Sequence, residues 1–112
     1  MKLKIFIAQK MNNLSKTNVM MERKFVEDDL RKLYPTIELE IIDNYNHPEA
    51  PKDAGRLWHL GKSIQQLEEA DYIVFANNCW LYSKGCFIEK VISKVYGIPT
   101  INVKKEKRKK LK

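Results

Sequence analysis

The residues of this chain best suited to chemistry lie between positions 71 and 89. Ser83-Lys84-Gly85 stands at the mouth of an expected helix, and Glu89 follows one turn in. A serine can cap such a helix, and the free N–H groups of its first turn attract an anion or a hydroxyl. A glycine there lets a ligand or a neighbouring backbone come close. A carboxylate one turn further along, partly desolvated, has the chemistry of a nucleophile or general base. From spacing alone, Glu89 reads first as a solvated helix acid that Lys84 or Lys90 can pair with. A second carboxylate, Asp71, begins the preceding strand. That is the end opposite the strand's ligand crevice, so spacing gives Asp71 a cap or turn role.

The motifs that are missing narrow the chemistry. There is no GxGxxG, no GxxxxGK[ST] and no GxSxG, and the loop after the first strand, Gln9 to Lys16, holds no glycine. Cys79 and Cys86 form no CxxC, and His47 and His59 are not at ligand spacing with them. No metal and no cofactor is therefore expected, and the cysteines read as free thiols of a reducing cytoplasm.

The elements that must position these residues follow from periodicity. Lys2 to Ala8 reads as a central strand with the apolar run Ile5-Phe6-Ile7. A helix is expected over 17–34, capped by Thr17 or Asn18. Val19, Val26, Leu30 and Leu33 make its apolar stripe, widened by Met21 and Phe25, and Glu22 and Arg23 lie on its wet face. Residues 36–43 alternate as an edge strand. A polar loop with two prolines runs from Asn44 to Gly55, long enough to act as a lid, with Tyr45 and His47 able to cover a ligand. A second helix over 56–69 carries Leu57, Leu60, Ile64 and Leu67, with Gly61 permitting close packing. Strand 71–76, a loop over 77–84, and a helix over 85–96 facing the sheet with Phe87, Ile88, Val91, Ile92 and Val95 follow. Gly97 and Pro99 stop that helix before a fourth strand over 100–103. Alternating strands and helices imply parallel pairing. The expected fold is α/β, a flavodoxin-like (Rossmann-like) three-layer sandwich with strand order 2-1-3-4.

The residues Lys4 to Gln9, Trp58, Ala70-Asp71 to Phe75, Trp80, Ser83-Lys84-Gly85-Cys86, Glu89 and Tyr96-Gly97-Ile98-Pro99 together resemble the nucleoside 2-deoxyribosyltransferase superfamily. The likeness is nearest to its short, phage- and bacteria-derived DUF4406-type branch and spans residues 3–103. It implies a transferase or hydrolase of N-glycosidic bonds in nucleosides or nucleotides. Glu89 matches the glutamate that attacks the anomeric carbon and holds a glycosyl-enzyme intermediate, by the logic of a retaining glycosidase. Asp71 is kept as a second catalytic position by the same pattern. Gln9, Met11 and Asn12 would shape the sugar site, and Ser83, Lys84 and Gly85 would hold sugar hydroxyls or a 5′-phosphate. Asn77 and Trp80 line the loop after the third strand. The resemblance further implies a homo-oligomer. The pattern departs in two places: the loop after the first strand lacks the glycines of phosphate-binding members, and Asn77-Asn78 stand where active members often carry an acid or hydroxyl. An asparagine cannot protonate a leaving group. The alternative reading is a binding module that sequesters a nucleotide-derived ligand, with Trp80 and Tyr82 stacking on a base and Lys84 meeting phosphate.

Length and charge fit that frame. With 112 residues, 44% hydrophobic and 31% charged, one domain is expected over 1–103. The formal net charge is +7, of which +6 sits in the nine residues 104–112, expected to be a disordered basic tail. The body is thus near neutral. Nucleic-acid contact is expected to be weak, salt-sensitive and confined to the tail. No membrane partner and no leader peptide are read from the apolar runs.

Overall fold

The computed structural model describes residues 2–11 and 14–103. The basic tail, together with Asn12 and Asn13, lies outside the described residues. The chain forms β1 (Lys2–Ala8), α1 (Lys16–Leu33), β2 (Glu38–Ile41), α2 (Arg56–Leu67), β3 (Tyr72–Phe75), a 3-10 helix (Ala76–Leu81) and α3 (Lys84–Val95). The sheet is parallel with order β2-β1-β3. β1 pairs Lys2 with Glu38 through Ile5 with Ile41 on one side, and Ile5 with Tyr72 through Ala8 with Phe75 on the other. This is an α/β, Rossmann-like fold.

The central place of β1 follows from its apolar run, since residues 5–8 are wholly buried. Alternation splits that run between the two faces of the sheet. Ile5 and Ile7 join Val74, Leu39, and Val26 and Leu30 of α1 in one core cluster. Phe6 and Ala8 join Ile73, Phe75, Leu67 of α2 and Cys86 of α3 in the other. Helices therefore cover both faces, as parallel sheets require. Among the described residues no helix is long and apolar enough to cross a membrane.

The expected fourth strand shrinks to a single parallel bridge between Thr100 and Ile73. Ile73 donates to the Pro99 carbonyl and accepts from the Ile101 N–H, both at 3.0 Å. Pro99 has no N–H to extend the ladder. The expected loop 77–84 is instead mostly 3-10 helix, containing the non-glycine residues Asn77 (φ 51°) and Asn78 (φ 54°). Both lie in the left-handed region, which asparagine tolerates better than most side chains. The first helix starts earlier than expected: Ser15 caps α1, its hydroxyl accepting from the Asn18 N–H at 3.1 Å.

The helix faces depart most from expectation. α1 buries Val19, Val26 and Leu30, but Met21 and Leu33 are exposed. Glu22 and Arg23 leave the wet face and turn towards the sheet end. On α2 the buried side is Ser63 and Leu67, while Leu57 is 80% exposed. A Cβ at Gly61 would meet nothing within 4 Å, so that glycine serves no close contact. α3 is turned over relative to its apolar pattern. Cys86, Glu89 and Ser93 face inward, and Phe87, Ile88, Val91 and Val95 face out. These four outward residues correct the sheet-facing stripe read from spacing; Ile92 alone of that set packs against the core.

Candidate functional site

The site is built at the carboxyl ends of β1 and β3, where α/β sheets hold ligands. β1 delivers Ala8 and Gln9. The Ala8 carbonyl accepts from the Cys79 thiol at 3.3 Å, tying the 3-10 helix to the strand end. Gln9 is buried and fully engaged. Its Nε2 donates to the Val19 carbonyl at 3.2 Å and to Glu22 Oε1 at 3.0 Å, and its Oε1 accepts from Arg23 Nη1 at 2.9 Å. Arg23 Nη2 continues the chain to the Ile42 carbonyl at 2.7 Å, beyond the end of β2. Asn77 Nδ2 closes the set with a short hydrogen bond to Glu22 Oε2. Its left-handed backbone conformation is what turns this amide towards α1. Tyr82 Oη donates to the Asn77 carbonyl at 3.3 Å.

Glu89 is 6% exposed and lies on the buried side of α3. Among the described residues no hydrogen bond or ion pair reaches its carboxyl, and burial alone pushes it up to about 8. Its charge and that of Glu22 both act on Cys79, which also contacts Cys86. That contact and burial, with the two acidic neighbours, push the Cys79 thiol up, so it is protonated and unreactive at neutral pH. Tyr82 is likewise pushed up to about 12, first by burial and then by Cys79, Glu22 and Cys86. Burial draws the Arg23 guanidinium down, opposed by Asp43 and Glu27. A buried carboxyl that is neutral at rest and lacks a partner has the chemistry of a proton donor or, once ionised, of a nucleophile.

The other residues singled out from sequence fall as follows. Ser83 caps α3, its Oγ accepting from the Cys86 N–H at 3.4 Å. Lys84 is the exposed first residue of that helix, and a Cβ at Gly85 would meet Leu60 Cδ1 at an ordinary 3.7 Å. Trp80 is half-buried with Lys90 Nζ held 4.4 Å above its ring, so one face is already covered. Met11 lies in the loop after β1, its carbonyl accepting from Leu14 at 3.3 Å. Asn12 lies outside the described residues. Asp71 is not brought to this end. Its Oδ2 accepts from the Lys4 N–H and its own N–H donates to the Lys4 carbonyl, each at 2.8 Å, at the amino end of β3. The structure thus links Gln9 and Asn77 through Glu22, and places Glu89 within electrostatic reach of Cys79, with Ser83 at the helix start.

Three further residues belong to the crevice and were not singled out from sequence: Glu22, Arg23 and Asn44. A helical wheel centred on Val19, Val26 and Leu30 places Glu22 and Arg23 at the flanks of the buried stripe, which is the signal that locates them. Asn44 is buried after β2. Its Nδ2 donates to the Ile7 carbonyl at 3.0 Å, and its Oδ1 has no partner among the described residues. That acceptor is free for a donor from water or ligand.

No protein-family model and no curated protein matches the chain. A solved structure is similar: the crystal structure of a conserved protein from Enterococcus faecalis V583, with TM-score 0.61 and 17% identity. The match covers 91% of this chain and 63% of that one, so this chain spans less than two thirds of its length. The likeness supports the Rossmann-like fold.

Proposed function

We propose that this chain acts on the N-glycosidic bond of a nucleoside or nucleotide, as a 2-deoxyribosyltransferase or hydrolase, with Glu89 as its reacting carboxyl. The observation that carries the reading is the placement of Glu89: buried, unpaired and inward-facing at the carboxyl end of a parallel sheet. In the step we envisage, a Glu89 oxygen bonds to the anomeric carbon as the carbon–nitrogen bond breaks, and its electron pair leaves with the base. The base requires a proton, and Glu89 holds one in the free site. The resulting carboxylate stabilises the oxocarbenium-like sugar. A second base or water then releases the sugar. Gln9 and Asn77 are fixed by Glu22 and Arg23 and so present rigid edges to the sugar site. Asp71, tied to the Lys4 backbone, supports β3 in this reading.

The free thiols of Cys79 and Cys86 fit a reducing cytoplasm. The outward apolar face of α3, with Val95 72% exposed, supports a homo-oligomer assembled through that helix. Any nucleic-acid contact is assigned to the tail and is tested by deleting 104–112 at low salt.

The test is base release or exchange across a panel of 2′-deoxynucleosides and their 5′-monophosphates. The wild type is expected to turn over at least one member and Glu89→Gln none. Turnover by Glu89→Gln equal to wild type removes Glu89 from the chemistry. A second reading, a module that binds a nucleotide-derived ligand unchanged, is favoured by the neutral resting state of Glu89, which suits a hydrogen-bond donor. Calorimetric binding with the ligand recovered intact by mass spectrometry selects it.

A further inference from the structure

The loop that follows β2 is fastened to α2 by a histidine pair, His47 and His59. His47 Nδ1 lies 3.1 Å from His59 Nδ1, and the two rings stack with centroids 5.3 Å apart and planes 16° from parallel. The tautomer of His47 is set by its other nitrogen. Gln66 Nε2 donates to the Asp43 carbonyl at 2.8 Å, which turns Gln66 Oε1 towards His47 Nε2 at 3.3 Å. An amide oxygen only accepts, so Nε2 carries the proton and the Nδ1 lone pair points at His59. At this separation the lone pair needs a positive centre between it and the facing His59 nitrogen. A shared proton is one solution and a metal ion is the other.

We propose that His47 Nδ1 and His59 Nδ1 form a two-imidazole site for a late first-row divalent transition-metal ion such as zinc(II), which pins the loop after β2 to α2. Two nitrogens 3.1 Å apart, each about 2.0–2.1 Å from an ion, subtend an angle of about 100° there, within the range of tetrahedral and square coordination. The Nε2–H to Gln66 hydrogen bond is the outer-shell arrangement that orients a ligating histidine and raises its basicity. His59 is exposed, so water completes the coordination. Among the described residues no third histidine, cysteine or carboxylate joins the pair.

The surroundings are already arranged. Asp43 holds the loop through Asn46 and Tyr45 at 3.0–3.1 Å. Burial pushes Asp43 up, but these bonds and the Arg23 charge outweigh it and hold the carboxyl below its usual value. Glu49, near His47, is engaged by Lys62 at 2.7 Å. The Trp58 ring packs edge-on against both imidazoles, with centroids at 6.0 Å and 5.2 Å. The ligand positions are thus pre-formed, which limits the ordering cost of binding.

The experiment titrates the full 112-residue chain with zinc chloride, reading calorimetry and the ring nitrogen shifts of both histidines by NMR. The expected result is one equivalent bound. Nδ1 of His47 and of His59 move together, while Nε2 of His47 stays protonated. His59→Gln and, separately, His47→Gln abolish that event, and Gln66→Ala weakens it by about tenfold or more. Circular dichroism verifies that each variant is folded; His59 is exposed on α2, so its substitution leaves the core intact. Thermal stability of the wild type alone rises with zinc. The proposal is overturned if neither Nδ1 responds, which makes the contact a proton-sharing hydrogen bond, or if the same binding persists in His59→Gln.

Discussion

Replacing Glu89 by glutamine tests the energetic consequence of its burial independently of any substrate. The carboxyl is raised from 4.5 in the free group to about 8 in the fold, by desolvation alone. The folded chain therefore holds a proton that the unfolded chain has released across that interval. Linkage fixes the sign: stability is greatest below the unfolded value, falls as pH rises, and levels off once pH passes the folded value. The full difference corresponds to about 4–5 kcal/mol, of which about 2–3 kcal/mol is lost between roughly pH 6 and pH 9. Glutamine keeps the shape and never ionises, so the variant is spared this loss. Urea unfolding at matched pH values measures it. Between pH 6 and pH 9 the stability of Glu89→Gln relative to the wild type should rise by about 2–3 kcal/mol. Parallel stability curves for the two proteins across this range would refute the reasoning, because they would mean that Glu89 ionises in the fold as freely as in the chain.

Further outcomes follow from the same geometry. Gly61→Ala should stabilise the fold by about 0.5–1 kcal/mol in thermal unfolding, since the added methyl meets no neighbour and α2 gains helix propensity. Asn78→Gly should be tolerated, whereas Asn78→Val should cost on the order of 1–3 kcal/mol, because a β-branched residue resists the left-handed conformation. If α3 carries the proposed self-association, Val95→Glu on its outward face should lower the sedimentation coefficient to that of a monomer. A wild-type chain that already sediments as a monomer contradicts assembly through α3.

Much of the fold was legible because β1 carries an unbroken apolar run and each helix falls between strands, which leaves few parallel arrangements. Its limits were equally physical. The order β2-β1-β3 agrees with expectation, but Pro99 cuts the fourth strand to one bridge. The face of α3 is not legible from its apolar spacing, because the inward side carries Cys86, Glu89 and Ser93, with Ser93 satisfied by the Lys90 carbonyl at 2.8 Å. Exposed apolar side chains are a regular part of protein surfaces, and here they gather on one helix. Glu89, which spacing alone reads as a solvated helix acid, is buried. The partners of Gln9 were not legible, because Glu22 and Arg23 reach it through tertiary contacts 13 and 14 residues apart in sequence, and Asn77 joins them only by bonding Glu22 from a left-handed turn. The histidine pair was missed for the same reason, since His47 and His59 belong to a loop and a helix that meet only in the fold.

The most direct measurement of the central claim is a search for the covalent intermediate. The wild type is mixed with the 2′-deoxynucleosides and their 5′-monophosphates, quenched in acid and analysed by intact and peptide mass spectrometry. The account predicts release of the base together with a deoxyribosyl or phosphodeoxyribosyl ester on Glu89, and neither in Glu89→Gln. Base release that proceeds with Glu89 replaced, or an adduct on another residue, contradicts it.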